Sequence, residues 1–254
     1  MTIPDRSIAD MPPEVITATS PRLAKIRRAL IVVAHPDDVE AHCGGTVALL
    51  TAAGCEVHLT VCTSGEKGTS DRAMSPERLS RERESEQIEA AQVLGISSST
   101  FLRYPDGEVP IDAAFRGKIV RQIRTHQPDL VLTHDPEFPW PAYTAHRDHR
   151  AVGRVTIDAL YPDARDHLFF PEQIAQEGLE PHVTPEAWLI MSGIPDLFVD
   201  VGPIIERKID ARLKHTSQHS DASALRQSFR DRAAEQGIAV GLPFAETLKI
   251  VRFA

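Results

Sequence analysis

Apolar runs alternate with amphipathic stretches along most of the chain, in the rhythm of strand, helix and strand. Ala29-Leu30-Ile31-Val32-Val33 is apolar at every position, the mark of a strand covered on both faces in a parallel sheet. Gly44 to Leu50 reads as a helix start, which makes His35 to Cys43 a strand-to-helix loop. Glu56 to Thr63 reads as a second strand, followed by a polar loop from Ser64 to Pro76. From Glu77 to Leu94 the residues Ile88, Ala91 and Leu94 recur at three-residue steps among Arg and Glu, with Gly95 at the C-cap position. Thr100 to Arg103 is a short third strand before the turn Tyr104-Pro105-Asp106-Gly107. Phe115, Ile119 and Ile123 mark a third helix, Pro128 to Thr133 a fourth strand, and about His146 to Leu160 a fourth helix. Ala187 to Met191 and Leu197 to Val201 are later strands, and Ile205, Ile209 and Leu213 mark another helix. The alternation predicts an α/β fold: a doubly wound, mostly parallel sheet flanked by helices, with a C-terminal strand and helix extension.

The stretch from Met1 to Arg22 is broken by Pro4, Pro12, Pro13 and Pro21 and has no apolar core of its own. Residues 1–25 are therefore expected to be a surface tail, with neither signal peptide nor membrane span, and residues 26–254 a single domain. The segment from Pro162 to Pro185 has the length of a lid or rim. A net charge of -8 argues against nucleic-acid and anionic-membrane partners and favours a small neutral or polar ligand. Cys43, Cys55 and Cys62 suit no disulfide framework and no zinc ribbon, and read as reduced thiols in a cytoplasm. A homo-oligomer stays open.

His35-Pro36-Asp37-Asp38 stands at the carboxyl end of the first apolar strand, where open α/β sheets bind ligands. His146 and His149 follow the fourth strand in the same way and share a helical face. If the loops after these strands lie side by side, His35, Asp38 and His149 meet as two imidazoles and a carboxylate, a set suited to catalytic zinc with ligands at about 2.0–2.2 Å and one open position. Asp37, beside a ligand yet uncommitted, is then the base that takes a proton from water, and His146 the group that stabilises the tetrahedral oxyanion.

These segments resemble the PIG-L/LmbE-like zinc-dependent de-N-acetylases. The likeness rests on His35-Pro36-Asp37-Asp38 with Gly44-Gly45-Thr46, on Thr63-Ser64-Gly65-Glu66-x-Gly68, and on Arg83-x-x-Glu86 leading to Leu94-Gly95. Asp106-Gly107, Thr133-His134-Asp135-Pro136, His146-x-Asp148-His149-Arg150-Ala151-x-Gly153, and Lys208 with His215-x-Ser217-Gln218 follow in the family's order. The resemblance spans about residues 29 to 220 and implies removal of acetyl from an N-acetylglucosaminyl-type amino-sugar conjugate on a Rossmann-like fold. It implies one Zn²⁺, with Fe²⁺ the alternative, the same ligands, base and oxyanion partner, and sugar binding or site support by Glu66 and Arg83. Arg147 stands where the family more often has Pro, and His42 where an apolar or aromatic residue is commoner. The loops from Pro136 to Thr144 and from Tyr161 to Pro185 are expected to contact substrate.

Other readings stay beside these. Glu66 and Arg83 also suit surface ion pairs, and Asp106 a turn as well as a ligand contact. His215 is expected at the mouth of the site, its pairing with His219 as a second metal site being the weaker alternative. Two histidines and a carboxylate also describe a non-haem Fe(II) oxygenase, although such centres belong to β-sandwich-like barrels. A binding module that holds a sugar or nucleotide without turning it over is the third reading, with no Gly-x-Gly-x-x-Gly or P-loop in its favour.

Overall fold

A computed structural model describes residues 12–137 and 146–253 of the chain. The first residues of the expected tail and most of the loop from Pro136 to Thr144 therefore lie outside the described residues. The elements in order are β1 (Glu14–Ile16), α1 (Pro21–Lys25), β2 (Arg28–Val33), α2 (Asp38–His42), α3 (Gly44–Ala52), β3 (Glu56–Thr63), α4 (Pro76–Leu94), β4 (Ser98–Tyr104) and α5 (Ala113–His126). β5 (Leu130–His134), α6 (Arg147–Leu160), α7 (Pro171–Glu177), β6 (Glu186–Ile190), β7 (Leu197–Asp200), α8 (Ile205–Arg212), α9 (Ala222–Gly237) and β8 (Ala245–Arg252) complete it.

The strands form one eight-stranded sheet in the order β1-β7-β8-β6-β5-β2-β3-β4. Every neighbouring pair is parallel except those of β8, which runs antiparallel to both β6 and β7. β2 explains its own composition: Ala29, Ile31 and Val33 enter the core on one face, and Leu30, Val32 and Ala34 enter the core on the other. A strand sandwiched in this way has no polar face to show. Cys43, Cys55 and Cys62 are buried and unpaired. Among the described residues no helix is long and apolar enough to cross a membrane.

Three expectations need correction. The segment before residue 26 is more than a surface tail, because β1 pairs with β7 and buries Ile16, while Leu23 of α1 packs into the core. Pro21, which looked like a breaker, sits in the first turn of α1, where its missing N–H is not needed. The loop after β2 is shorter than expected, since α2 begins at Asp38. The segment from Tyr161 to Pro185 is neither lid nor rim of a site at the carboxyl edge. α6 runs back from the end of β5, so this segment lies at the amino edge, where His182 contacts the Pro128 carbonyl just before β5 (2.9 Å). Arg124 on α5 holds it by donating to the carbonyls of Ala164, Asp166 and Phe169, among others.

Two contacts fix the helices around the carboxyl edge. A Cβ on Gly153 would collide with the His134 carbonyl oxygen, so glycine lets α6 close onto the end of β5. Glu246 of β8, fully buried, accepts from Gly45 N (2.8 Å), Thr46 N (2.6 Å) and Thr46 Oγ1 (2.6 Å), and pairs with Lys208 Nζ at 2.8 Å. Its charge thus sits at the N-terminus of α3, where the orphan N–H groups and the helix dipole favour an anion.

Candidate active site

β2, β3, β4 and β5 end at one edge of the sheet, and the segments that follow them meet there. The turn after β2 is tightly held. His35 N donates to Asp38 Oδ2 (2.8 Å), and Asp37 takes a left-handed backbone with φ 88°, a strained conformation for a residue with a Cβ. Asp37 N donates to Gln87 Oε1 (3.0 Å), and Arg83 donates to Pro36 O (2.6 Å) and Gly65 O (2.9 Å), so α4 grips this turn and the loop after β3 together. A Cβ on Gly65 would collide with the Arg83 guanidinium, and its φ of 64° suits glycine.

Donor atoms of three side chains, with both oxygens of Asp38 among them, converge above the turn. His35 Nδ1 and His149 Nε2 are 3.2 Å apart, His149 Nε2 and Asp38 Oδ1 3.3 Å, and His35 Nδ1 and Asp38 Oδ2 3.6 Å. Ligands about 2.1 Å from a tetrahedral ion stand about 3.4 Å from one another, so the spacing fits a zinc-sized cation. His35 Nε2 faces two carboxylates, Asp106 Oδ1 at 3.2 Å and Asp148 Oδ2 at 3.4 Å, which favour a proton on Nε2 and leave the Nδ1 lone pair able to hold a cation.

His134, at the end of β5, makes a competing set with Asp38 and His149. Its Nε2 accepts from Ala34 N (3.1 Å) and its ring stacks on His149 (4.1 Å, 7°), so its lone pair serves the backbone. Burial pushes its pKa down to about 4, which keeps the ring neutral.

Electrostatics divide the two aspartates. Burial works against the charge of Asp38, yet His149, with Nε2 3.3 Å from Asp38 Oδ1, holds its carboxyl well below the usual range. Burial also raises Asp37, against the opposing pull of Arg83 and Arg212. Its Oδ1 lies 3.4 Å from Arg83 Nη2 and its Oδ2 3.2 Å from Arg212 Nη2. For His35, burial disfavours the cation, but Asp106, Asp148 and Asp38 outweigh it and raise the pKa well above the ordinary imidazole value. A cation must displace that proton from Nδ1, so metal affinity should climb as pH rises through the elevated pKa and level off above it. Calorimetric titration of Zn²⁺ in buffers of different ionisation enthalpy should show proton release near neutral pH, with none contributed by the already ionised Asp38.

His146 caps α6, its Nδ1 accepting from Asp148 N at 3.2 Å, which puts the ring proton on Nε2. The ring is exposed and lies edge-on to His35, with centroids 4.6 Å apart. Asp148 is fully buried and accepts from Gly107 N (2.6 Å) and Val109 N (3.1 Å). Glu66 and Asp106 are tied, Glu66 Oε1 accepting from Asp106 N at 2.7 Å.

His215 is not at the mouth. It is fully buried with Nε2 3.2 Å from Glu40 Oε2, and Glu40 Oε1 accepts from Gln87 Nε2 at 3.0 Å. A buried carboxylate needs such partners, and His215 supplies one. Glu86 accepts from Thr216 Oγ1, Ser217 N and Ser217 Oγ at 2.6–2.8 Å, tying the segment after α8 to α4. Arg212 and Gln87 escaped the sequence reading, and His134 and Asp148 were named in motifs without a role of their own. Gln87 had a signal: with Arg83 and Glu86 it stands at helical spacing, a polar stripe on the inward face of α4.

A family model described as PIG-L, GlcNAc-PI de-N-acetylase, matches residues 30–160. The chain belongs to the PIG-L de-N-acetylase family. Diacetylchitobiose deacetylase of Thermococcus kodakarensis is 33% identical over 193 residues, 76% of this chain and 70% of that protein. A 1D-myo-inositol 2-acetamido-2-deoxy-alpha-D-glucopyranoside deacetylase of Rhodococcus jostii is 26% identical, covering 90% of this chain and 92% of its own. Among solved structures, N,N'-diacetylchitobiose deacetylase from Pyrococcus horikoshii superposes with a TM-score of 0.83 at 29% identity, over 89% of this chain and 84% of that one. GalB, the 4-carboxy-2-hydroxymuconate hydratase of Pseudomonas putida, reaches a TM-score of 0.74 at 22% identity over 90% and 97%, and shares the fold alone. The PIG-L segment holds β2 through α6, with His35, Asp37, Asp38 and His149, whereas Arg212, α9 and β8 lie beyond it.

Proposed function

We propose that this protein hydrolyses the acetamide of an N-acetylglucosaminyl-type amino-sugar conjugate, releasing acetate and a free amine, with a zinc ion held by His35, Asp38 and His149. The observation that carries the reading is the convergence of three side chains suited to a metal, His35, Asp38 and His149, beside a second aspartate engaged by arginines. A divalent ion in that position acidifies water and polarises a carbonyl. Asp37, its pKa raised by burial, accepts the proton of the attacking water and passes it to the leaving amine. Arg83 and Arg212 hold both its oxygens in place. His146 Nε2–H, directed by the backbone bond to Nδ1, stabilises the negative charge that grows on the carbonyl oxygen.

Of the residues expected to bind sugar, Glu66 keeps that part, with its half-exposed carboxylate available to hydroxyl groups. Arg83, bonded to Pro36 O and Gly65 O, supports the turn, and Asp106 supports His35. Fe²⁺ fits the same N,N,O set and is the alternative ion. The buried unpaired cysteines suit a reducing compartment such as the cytoplasm.

The test is acetate release from a panel of N-acetylglucosamine conjugates by metal-loaded and chelator-treated protein. Turnover that is lost with chelator and restored by Zn²⁺ or Fe²⁺ is the expected result. A metal-replete protein that binds members of the panel and hydrolyses none would replace this reading with the binding module.

A further inference from the structure

A cavity of about 700 Å³ runs from Asp37, Asp38 and His149 toward α9 and β8. Those two aspartates, both engaged at the metal end, supply the carboxylates in its lining. The remainder is rich in donors: Arg212, Gln218, Ser228, Arg232, Gln236 and Thr247. The guanidinium of Arg232 lies over the ring of Phe229, 5.4 Å from its centroid. Among the described residues no carboxylate pairs with Arg232. Arg212 is 8% exposed and shares Asp37 with Arg83, so one carboxylate stands against two guanidiniums, and Arg212 Nη1 has no hydrogen-bond partner. Away from the two aspartates, the charged side chains of this wall are the guanidiniums of Arg212 and Arg232, in a chain of net charge -8.

The cavity also lies on the opposite side of the site from Glu66. Glu66 and Asp106 follow β3 and β4, on one side of β2, whereas β6 and β8 lie on the far side of β5. Resting on the deacetylase reading above, we propose that the cavity is an anion subsite that selects amino-sugar conjugates bearing a carboxylate or phosphate on the portion remote from the sugar held at Glu66. Arg232 and Arg212 are the recognising charges. A volume of this size takes a group as large as a second sugar.

The experiment compares N-acetylglucosamine linked to glucose, to glucuronic acid and to glucose 6-phosphate as substrates of the metal-loaded protein. The expected result is a kcat/KM for at least one acidic conjugate about tenfold above the neutral one, a ratio that falls about tenfold in Arg232→Ala and returns in Arg232→Lys. The two acidic arms distinguish carboxylate from phosphate. Equal treatment of neutral and acidic conjugates, or an unchanged ratio in Arg232→Ala, would overturn the subsite and leave the deacetylase reading intact. Should no conjugate turn over, the deacetylase reading fails separately, and calorimetric titration with glucuronate and glucose 6-phosphate decides the subsite. Binding lost in Arg232→Ala supports it, and binding that is absent or unaffected overturns it.

Discussion

Asp37→Asn should retain bound metal while turnover falls by about 10²–10⁴-fold, the usual contribution of a positioned general base. The substitution is nearly isosteric, and an amide oxygen still accepts from one of the two guanidiniums that hold the side chain. What disappears is the capacity to take a proton in the cavity that Asp37 shares with Asp38 and His149. Asp38→Asn should lose bound metal, because Asp38 Oδ1 stands against His149 Nε2 while Oδ2 faces His35 Nδ1 and accepts from His35 N. Metal content by atomic emission and single-substrate kinetics on the two variants separate the roles. If Asp37→Asn released the metal and Asp38→Asn kept it, ligand and base would have to be exchanged.

Glu246→Ala should lower unfolding stability by about 3–5 kcal/mol, the effect of stripping one partner from a buried ion pair. The change leaves the Lys208 ammonium, 3% exposed, without its counter-charge, and removes the acceptor for Gly45 N, Thr46 N and Thr46 Oγ1. Since domains are stable by roughly 5–15 kcal/mol in total, the variant should unfold at distinctly lower temperature or urea concentration. Glu246→Gln still offers one oxygen to α3 but also leaves Lys208 unpaired, so a loss of similar size is expected from it. Reversible urea unfolding followed by circular dichroism measures both, and a loss below about 1 kcal/mol would show that water reaches Lys208.

The sheet, and the edge where the candidate residues meet, were legible because β2 is apolar on both faces and then turns abruptly polar at His35, a pattern with few structural uses. α4 was legible in its extent and its Gly95 cap, but Ile88, read as part of the apolar face, is 46% exposed, and the buried face instead carries Leu79, Arg83, Gln87, Ala90 and Leu94. β1 was not, since three residues between prolines carry almost no pattern, and their pairing with β7 is decided by contacts nearly two hundred positions away. The segment from Tyr161 to Pro185 misled for another reason. Loops at the two edges of a parallel sheet look alike in composition, and only the direction of the preceding helix tells them apart. His215 misled because a histidine beside polar residues reads as exposed, while its partner Glu40 lies on a different helix.

α4 bears on three separate segments at once through Arg83, Glu86 and Gln87, which reach the turn after β2, the stretch after α8 and the Glu40–His215 pair. A single extra residue within its first two turns would rotate that face by about 100° and unseat all three together. Length variation among relatives should therefore collect in the stretch 67–75 ahead of the helix, and indels should be scarce between Ser75 and Gln87.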